Sequence, residues 1–449
     1  MSKASSQGSD PVQNSEPAQH VAPESGSARG RLSRRGLFGA IGAGAALAGA
    51  GAVVGRVTAP EHTHAAADIV EFRGEHQSGI VTPTQDRLHF VSFDVVTESR
   101  DRLVAMLREW TEVAERMTKG EETYPGAAVD GPQYAPPKDT GEALGLAPSQ
   151  LTLTIGFGPS LFGTADNDRF DIYARKPAAL VDLPHFPGQI LNPAISGGDI
   201  AIQACSNDPQ VAVHAVRNLA RIGTGIVAVK WSQLGFGRTS STSTDQVTAR
   251  NLMGFKDGTN NLKAEDPSAV SEFVWVDPAD DQDWLAGGSF LVTRRIRMLI
   301  ESWDRTTLNE QERVIGRFKG NGAPFGGSEE FDQVDLQSAG PHGPMIDHRA
   351  HIRLASAESL GGVKLLRRGY NFTDGSDGFG HLDAGLFFIA YCRNPQTQFV
   401  PMQLQLARSD LLNEYIQHTS SAVFAVPPGL RDGQYWGSTL FGAAGSPPA

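Results

Sequence analysis

The chain has 449 residues, too many for one small core, so two or three domains are expected. With 40% hydrophobic and 20% charged residues, it has the composition of a soluble globular protein. Its net charge of −11 argues against a nucleic-acid surface, because phosphate binding requires clustered Lys and Arg.

Residues 1–30 are rich in Ser, Gly, Ala, Gln and Pro and are expected to be disordered. Arg29, Arg31, Arg34 and Arg35 then form a basic cluster, residues 36–55 carry no charge, and Arg56 closes the run. A basic region followed by an uncharged one is an export-signal pattern. Arg34-Arg35 after Ser33, with Leu37 and Phe38 following, fits its twin-arginine version. A run of that length would also just span a bilayer. Its abundance of Gly and Ala makes it only weakly apolar, so a cleaved signal is expected rather than a retained anchor, with "HAAAD" (64–68) as one cleavage site. This reading predicts the twin-arginine export machinery as a partner and an extracytoplasmic location: periplasmic, cell-surface or secreted. That route carries folded proteins, so a buried cofactor is favoured.

From residue 85 the pattern is regular. "HFVSFDV" (89–95) alternates like a half-buried strand. Residues 99–120 place Leu103, Met106, Leu107, Trp110, Val113, Ala114 and Met117 on one helical face, between a Ser99 cap and a Gly120 stop. Residues 121–148, rich in Pro and Gly, read as a surface loop. Strands at 151–158 and 199–206, a helix at 208–223 and a strand at 224–236 complete a β-α-β-β-α-β order, the ferredoxin-like split motif. After a long connection (237–288) the order repeats: strand 289–300, helix 307–320, strands 363–372 and 384–394, helix 401–418, strand 422–429. The fold class is therefore α+β: two ferredoxin-like units packed together, barrel-like, with two packed sheets. The expected domains are a leader (1–65), an N-terminal unit (66–245), a C-terminal unit (246–436) carrying the main pocket, and a tail (437–449). Cys205 and Cys392 fall in expected buried strands and read as free thiols.

Nucleophile-elbow, Walker, G-x-G-x-x-G and zinc-binding patterns are absent. What is left is His, Asp and Arg in Gly-rich connections. Asp257 sits in "GFKDGTNN" (254–261), a loop with little apolar content. His342, His348 and His351 cluster, but spacing alone does not single out one of them. Arg367 and Arg368 stand side by side in an apolar strand, so alternation points one of them inward. A buried guanidinium is costly unless paired, which leaves either a structural ion pair or an anionic or polar ligand.

Five blocks, "GEHQSGI" (74–80), "GFKDGTNN", "HIRLA" (351–355), "LLRRGYNF" (365–372) and "GLFFIAYCRNPQTQFVPMQLQLA" (385–407), resemble the dye-decolorizing peroxidases. They are closest to the exported bacterial branch that includes deferrochelatase/peroxidases. The resemblance covers roughly residues 70 to 430 and implies two ferredoxin-like units and one haem b. It implies His351 as the axial ligand of the haem iron, Asp257 as the acid on the opposite face, and Arg367 beside it as a catalytic and haem-contacting residue. It further implies Gly254, Gly258, Thr259 and Asn260 along the haem edge. The "NP" that many relatives carry after "HIRLA" is replaced by "SAESLGG", which bears on contacts at Ser356 and Ala357.

The implied activity is hydrogen-peroxide-dependent oxidation of dyes, phenols or other bulky one-electron donors. Alternatives are release of iron from haem with the porphyrin intact, and non-catalytic haem carriage. Trp275, Trp284, Trp303, Tyr370 and Tyr391 could relay electrons or be ordinary core aromatics. A homo-dimer or higher homo-oligomer is a family-level expectation.

Overall fold

The computed structural model describes residues 68–341 and 343–442. The leader with its twin-arginine pattern (1–65), His342 and residues 443–449 lie outside them.

The N-terminal half contributes strands β1 (Arg87–Val95), β2 (Thr152–Phe157), β3 (Ile200–Ser206) and β4 (Val227–Arg238). The C-terminal half contributes β5 (Ser289–Met298), β6 (Leu366–Arg367), β7 (Tyr370–Ser376), β8 (Leu382–Cys392) and β9 (Ile416–Val426). They form one nine-stranded sheet in the order β5-β9-β2-β3-β1-β4-β7-β8-β6, and β5 also pairs with β8. That pairing closes an antiparallel barrel. Each half keeps the ferredoxin-like order, and the two expected sheets are joined at both edges rather than stacked.

The two joins differ. At one, β4 meets β7 through Phe236↔Asn371 and Arg238↔Tyr370. At the other, β2 and β9 share only the pair Phe157↔Ala425. The buried Gln77 of "GEHQSGI" bridges this join: its amide donates to Ile155 O (3.1 Å) and Pro427 O (2.9 Å) and accepts from Ile155 N (2.9 Å).

Helix α1 (Arg100–Thr118) begins where the Ser99 hydroxyl accepts from Arg102 N, and its predicted apolar face is buried. Helix α2 (Pro209–Ile222) is capped by Asp208 and led by a proline, which lacks only an N–H that would be unbonded there. Both cover the outer face of the N-terminal sheet. Helix α3 (Leu308–Ile315) starts at the Thr307 cap and stops at Gly316, at φ 91°, four residues before the expected end at Gly320.

Three expectations are corrected. The predicted strand 363–372 is broken at Arg368-Gly369 into β6 and β7. The predicted helix 401–418 ends early: α5 spans Phe399–Ser409, after which Asp410 takes an extended conformation and accepts from Leu412 N. Strand β9 then starts at Ile416, six residues before its expected start. The tail expected from residue 437 is partly core: Ser438–Phe441 form a helical turn, with Leu440 and Phe441 buried.

Inside the barrel, Phe90, Trp231, Tyr370, Phe387, Tyr391 and Phe424 form an aromatic core. Side chains at alternate positions point outward. In β8 these are Leu386, Phe388 and Ala390, and the register Ala390↔Arg367 places Arg367 on that outer face. Arg368 then turns inward and is completely buried. Among the described residues, no helix is long and apolar enough to cross a membrane.

Candidate active site

The short helix α4 (His351–Leu354) carries His351 at its first position. It is tied to α5 at two points: Gln405 Nε2 donates to Leu354 O (3.0 Å), and Leu411 N donates to Arg349 O (3.1 Å). The early end of α5 puts the Asp410 carboxylate beside the imidazole, with His351 Nδ1 2.6 Å from Asp410 Oδ2. An ionised carboxylate only accepts, so Nδ1 carries a proton, and it is Nε2 that offers a lone pair when the ring is neutral. Asp410 is nearly buried, and its other oxygen accepts from Leu412 N at 2.8 Å. Burial disfavours a charged His351, but the adjacent Asp410 carboxylate outweighs it; Asp257 adds to this and Arg367 opposes it, so the pKa is raised.

Asp257 and Arg367 come from segments 110 residues apart and meet directly, Arg367 Nη1 donating to Asp257 Oδ1 at 2.7 Å. Asn251 Nδ2 reaches the second carboxylate oxygen at 3.3 Å. A tight turn, with Gly254 N donating to Asn251 O, brings Asn251 back to Asp257 and requires Gly254 at φ 82°. Gly258, at φ 93°, lies against Ser240, whose Cα would be 2.9 Å from an added Cβ. The Thr259 hydroxyl donates to Glu330 Oε1 (3.1 Å), and Glu330 also pairs with Lys256. Glu330 thereby fastens the loop on both sides of Asp257. Asn260 is exposed. Asn261 is buried and bonds the backbone of Arg367.

The charges of Asp257 and Arg367 both act on the His351 ring, so the three predicted residues lie near one another. The side chains of His351 and Arg367 keep 32% and 29% of their surface accessible. Phe388, central in β8 and on the Arg367 face, is likewise only partly buried, as are Ile352 and Met402. This donor set fits haem. Among the described residues, no group of three or more His, Cys, Asp or Glu could hold a bare metal ion. One free imidazole nitrogen beside an open apolar wall suits a metal that brings its other donors in a flat macrocycle.

The remaining sequence candidates resolve as follows. Among the described residues, Arg368 has no carboxylate partner; its guanidinium bonds to Thr82 O and Gln85 Oε1 and more weakly to Ile80 O. It is thus held by neutral acceptors inside the barrel, not by an ion pair. Cys205 and Cys392 are buried free thiols. Trp284, Trp303, Tyr370 and Tyr391 are core residues, while Trp275 is half-buried and stacks on His76 at 3.8 Å. Ser356 Oγ donates to Arg353 O (2.8 Å), which closes the turn after α4.

Asp410, Asn251, Asn261 and Glu330 were not singled out from the sequence. Only Asp410 left a signal there: Ser409-Asp410 is a capping pair inside a stretch that otherwise keeps helical periodicity.

Two family models match the chain: "Dyp-type peroxidase, N-terminal" over residues 77–237 and "Dyp-type peroxidase, C-terminal" over residues 248–431. The dye-decolorizing peroxidase of Thermobifida fusca is 40% identical over 376 residues, covering 81% of this chain and 83% of the relative. The deferrochelatase of Escherichia coli K12 is 36% identical over 378 residues, covering 82% and 86%. An oxyferrous complex of DtpA from Streptomyces lividans superimposes with a TM-score of 0.75 at 37% identity, covering 83% of this chain and 97% of that one. A DyP-type peroxidase from Cellulomonas bogoriensis gives 0.74 at 38% identity, covering 83% and 98%.

Proposed function

The chain belongs to the Dyp-type peroxidase family, whose members are haem-dependent peroxidases, and from that premise we propose how its own residues divide the work. Haem is the cofactor, and when bound it supplies an iron that takes oxidising equivalents from hydrogen peroxide and passes them to a reducing substrate. His351 Nε2 would hold the haem iron, made a stronger donor by the Asp410 carboxylate behind Nδ1. Gly254, Gly258, Thr259 and Asn260 would line the bound haem, with Phe388 offering an apolar surface.

With haem bound, Asp257 would take the proton from one oxygen of peroxide and return it to the other, which leaves as water as the O–O bond breaks and its two oxidising equivalents pass to the haem. Oδ2 is the oxygen that carries it. Oδ1 is engaged by Arg367 at 2.7 Å, whereas Oδ2 has only the longer 3.3 Å contact from Asn251. The Arg367 guanidinium, always charged, orients that carboxylate and steadies negative charge as the O–O bond lengthens. The observation that carries this reading is the 2.7 Å Arg367–Asp257 contact, whose two charges both act on the His351 ring.

A hemin titration tests it. The wild type is expected to develop an intense Soret band that changes on addition of peroxide. His351→Ala is expected to lose that ligation; a wild-type spectrum and full activity in this variant would overturn the assignment.

A second reading has support from the Escherichia coli relative named deferrochelatase. On this reading the same site releases iron from haem and leaves the porphyrin whole. Mass spectrometry of the tetrapyrrole after turnover separates the two: metal-free protoporphyrin supports release, intact haem supports peroxidase use. The presence of Asp257 and Arg367 supports catalysis over simple haem carriage.

The substrates proposed are dyes, phenols or similar bulky donors. Export by the twin-arginine route to an extracytoplasmic location is supported by the Arg34-Arg35 cluster before an uncharged run. Fusing residues 1–68 to a reporter, with and without Arg34→Lys and Arg35→Lys, tests it; export that persists in the lysine pair counts against this route. A homo-oligomer is proposed from the family and is tested by sedimentation.

A further inference from the structure

We infer that Asn261 is a positioning residue that holds Arg367 in place opposite Asp257. The inference rests on the proposed role of Arg367. Strand β6 is only two residues long and pairs with β8 alone. The next residue, Arg368, donates its N–H to Ile389 O in β8 (2.8 Å). The backbone groups of Arg367 face the other way, where no strand lies. One side chain satisfies both: Asn261 Oδ1 accepts from Arg367 N at 2.7 Å, and Asn261 Nδ2 donates to Arg367 O at 2.8 Å. The same amide nitrogen donates to Ser241 O at 3.0 Å.

Asn261 is 7% exposed, so its primary amide replaces a strand edge inside the protein. It closes the loop that begins at Asn251, and its own N–H donates to Gly258 O (3.0 Å). One loop therefore carries the carboxylate at residue 257 and fixes the backbone of the guanidinium's residue at 261. This makes the 2.7 Å Arg367–Asp257 contact a property of the backbone as well as of two side chains. Among the described residues, no other side chain bonds the Arg367 backbone. Alanine leaves two buried backbone groups unbonded, and aspartate keeps the acceptor but sets an acceptor against Arg367 O.

The test is a double-mutant cycle on the haem-loaded protein: wild type, Asn261→Ala, Arg367→Leu and the double variant. Peroxide reaction is followed by stopped flow, and hydrogen exchange of the segment containing Arg367 is measured on the same proteins. Asn261→Ala is expected to slow the peroxide reaction roughly ten- to hundredfold, the scale of a small misplacement at a reacting centre. In the Arg367→Leu background it is expected to add almost nothing, because its effect passes through Arg367. Exchange at Arg367 is expected to rise in Asn261→Ala. Equal slowing in both backgrounds, or an unchanged rate in the single variant, overturns the inference. If Arg367→Leu itself leaves the rate intact, the catalytic role of Arg367 fails, and exchange alone decides the clamp: unaltered protection in Asn261→Ala overturns it. Should Asn261→Ala not take up haem, Asn261→Asp replaces it in the same cycle with the same two outcomes.

Discussion

His351 and Asp410 face each other across a 2.6 Å hydrogen bond that fixes both the tautomer and the direction of the ring. Asp410 is held in turn by Leu412 N. Removing the carboxylate frees the ring to rotate and weakens Nε2 as a donor. Asp410→Ala is therefore expected to bind haem ten- to a hundredfold more weakly, the usual effect of losing a partner behind a metal-ligating histidine. Asp410→Asn keeps an acceptor oxygen but not the charge, and should lose less. Hemin titration followed at the Soret band measures both; equal affinity across the three proteins would show that Asp410 does not support the ligand.

Asp257 and Arg367 are bonded to each other but serve different steps. Asp257→Ala removes the group proposed to move the proton, and about a 10²–10⁴-fold slower reaction with peroxide is expected. Arg367→Leu keeps the carboxylate but loses its orientation and the positive charge, and a loss of about 10²–10³-fold is expected. Neither residue ligates the metal, so both variants should retain the haem spectrum. Stopped-flow absorbance after mixing with peroxide checks this. Wild-type rates in both would leave haem binding intact and remove the proposed proton transfer.

The fold was legible because its signal is periodicity, and the strands and helices of both halves emerge near their expected places. The site was legible only in part. His351, Asp257 and Arg367 were reached through resemblance, since nothing in residue spacing brings positions 257, 351 and 367 together. Asp410 was hidden by its context: residues 401–418 keep an apolar helical rhythm, with no Gly or Pro after Pro401 to announce the break. The break comes from a side chain bonding its own backbone, a local effect that periodicity does not register. Asn251 and Asn261 were invisible for another reason. Each acts on a group fixed by the tertiary fold, and polar loop residues look alike until that fold exists.

The barrel holds two histidines that resist protonation. Burial pushes His89 down to about 4, and burial with the charge of Arg294 pushes His418 down to about 3. His89 Nδ1 is buried without a hydrogen-bond partner. In the unfolded chain both rings take up a proton as pH falls through about 6.5. Between that value and about 4 the unfolded state binds more protons, so stability is full above the window and is lost as pH falls through it. For His89 the loss approaches about 3 kcal/mol at the bottom of the window. Urea unfolding at pH 7.5 and pH 4.5 measures it. His89→Gln should show a shallower fall than wild type, and parallel falls would exclude His89 as a source.

Gly254 and Gly258 both have positive φ, 82° and 93°, and both flank Asp257, yet their surroundings separate them. At Gly254 an added Cβ would meet Lys319 Cε at 2.8 Å, the far end of a flexible side chain that can swing aside. At Gly258 it would meet Ser240 Cα at 2.9 Å, which cannot move without shifting the backbone after β4. Gly254→Ala should therefore cost little beyond the conformational strain, about 1–2 kcal/mol. Gly258→Ala adds a backbone clash to a similar strain and should cost about 1–3 kcal/mol more. Because Asp257 precedes Gly258 directly, the shift also displaces the carboxylate, so the peroxide reaction should slow more in Gly258→Ala than in Gly254→Ala. Denaturation midpoints and stopped-flow rates on the two variants test the order. A Gly254→Ala protein that is the less stable and the slower of the two would mean that Ser240 is not the constraint on this loop.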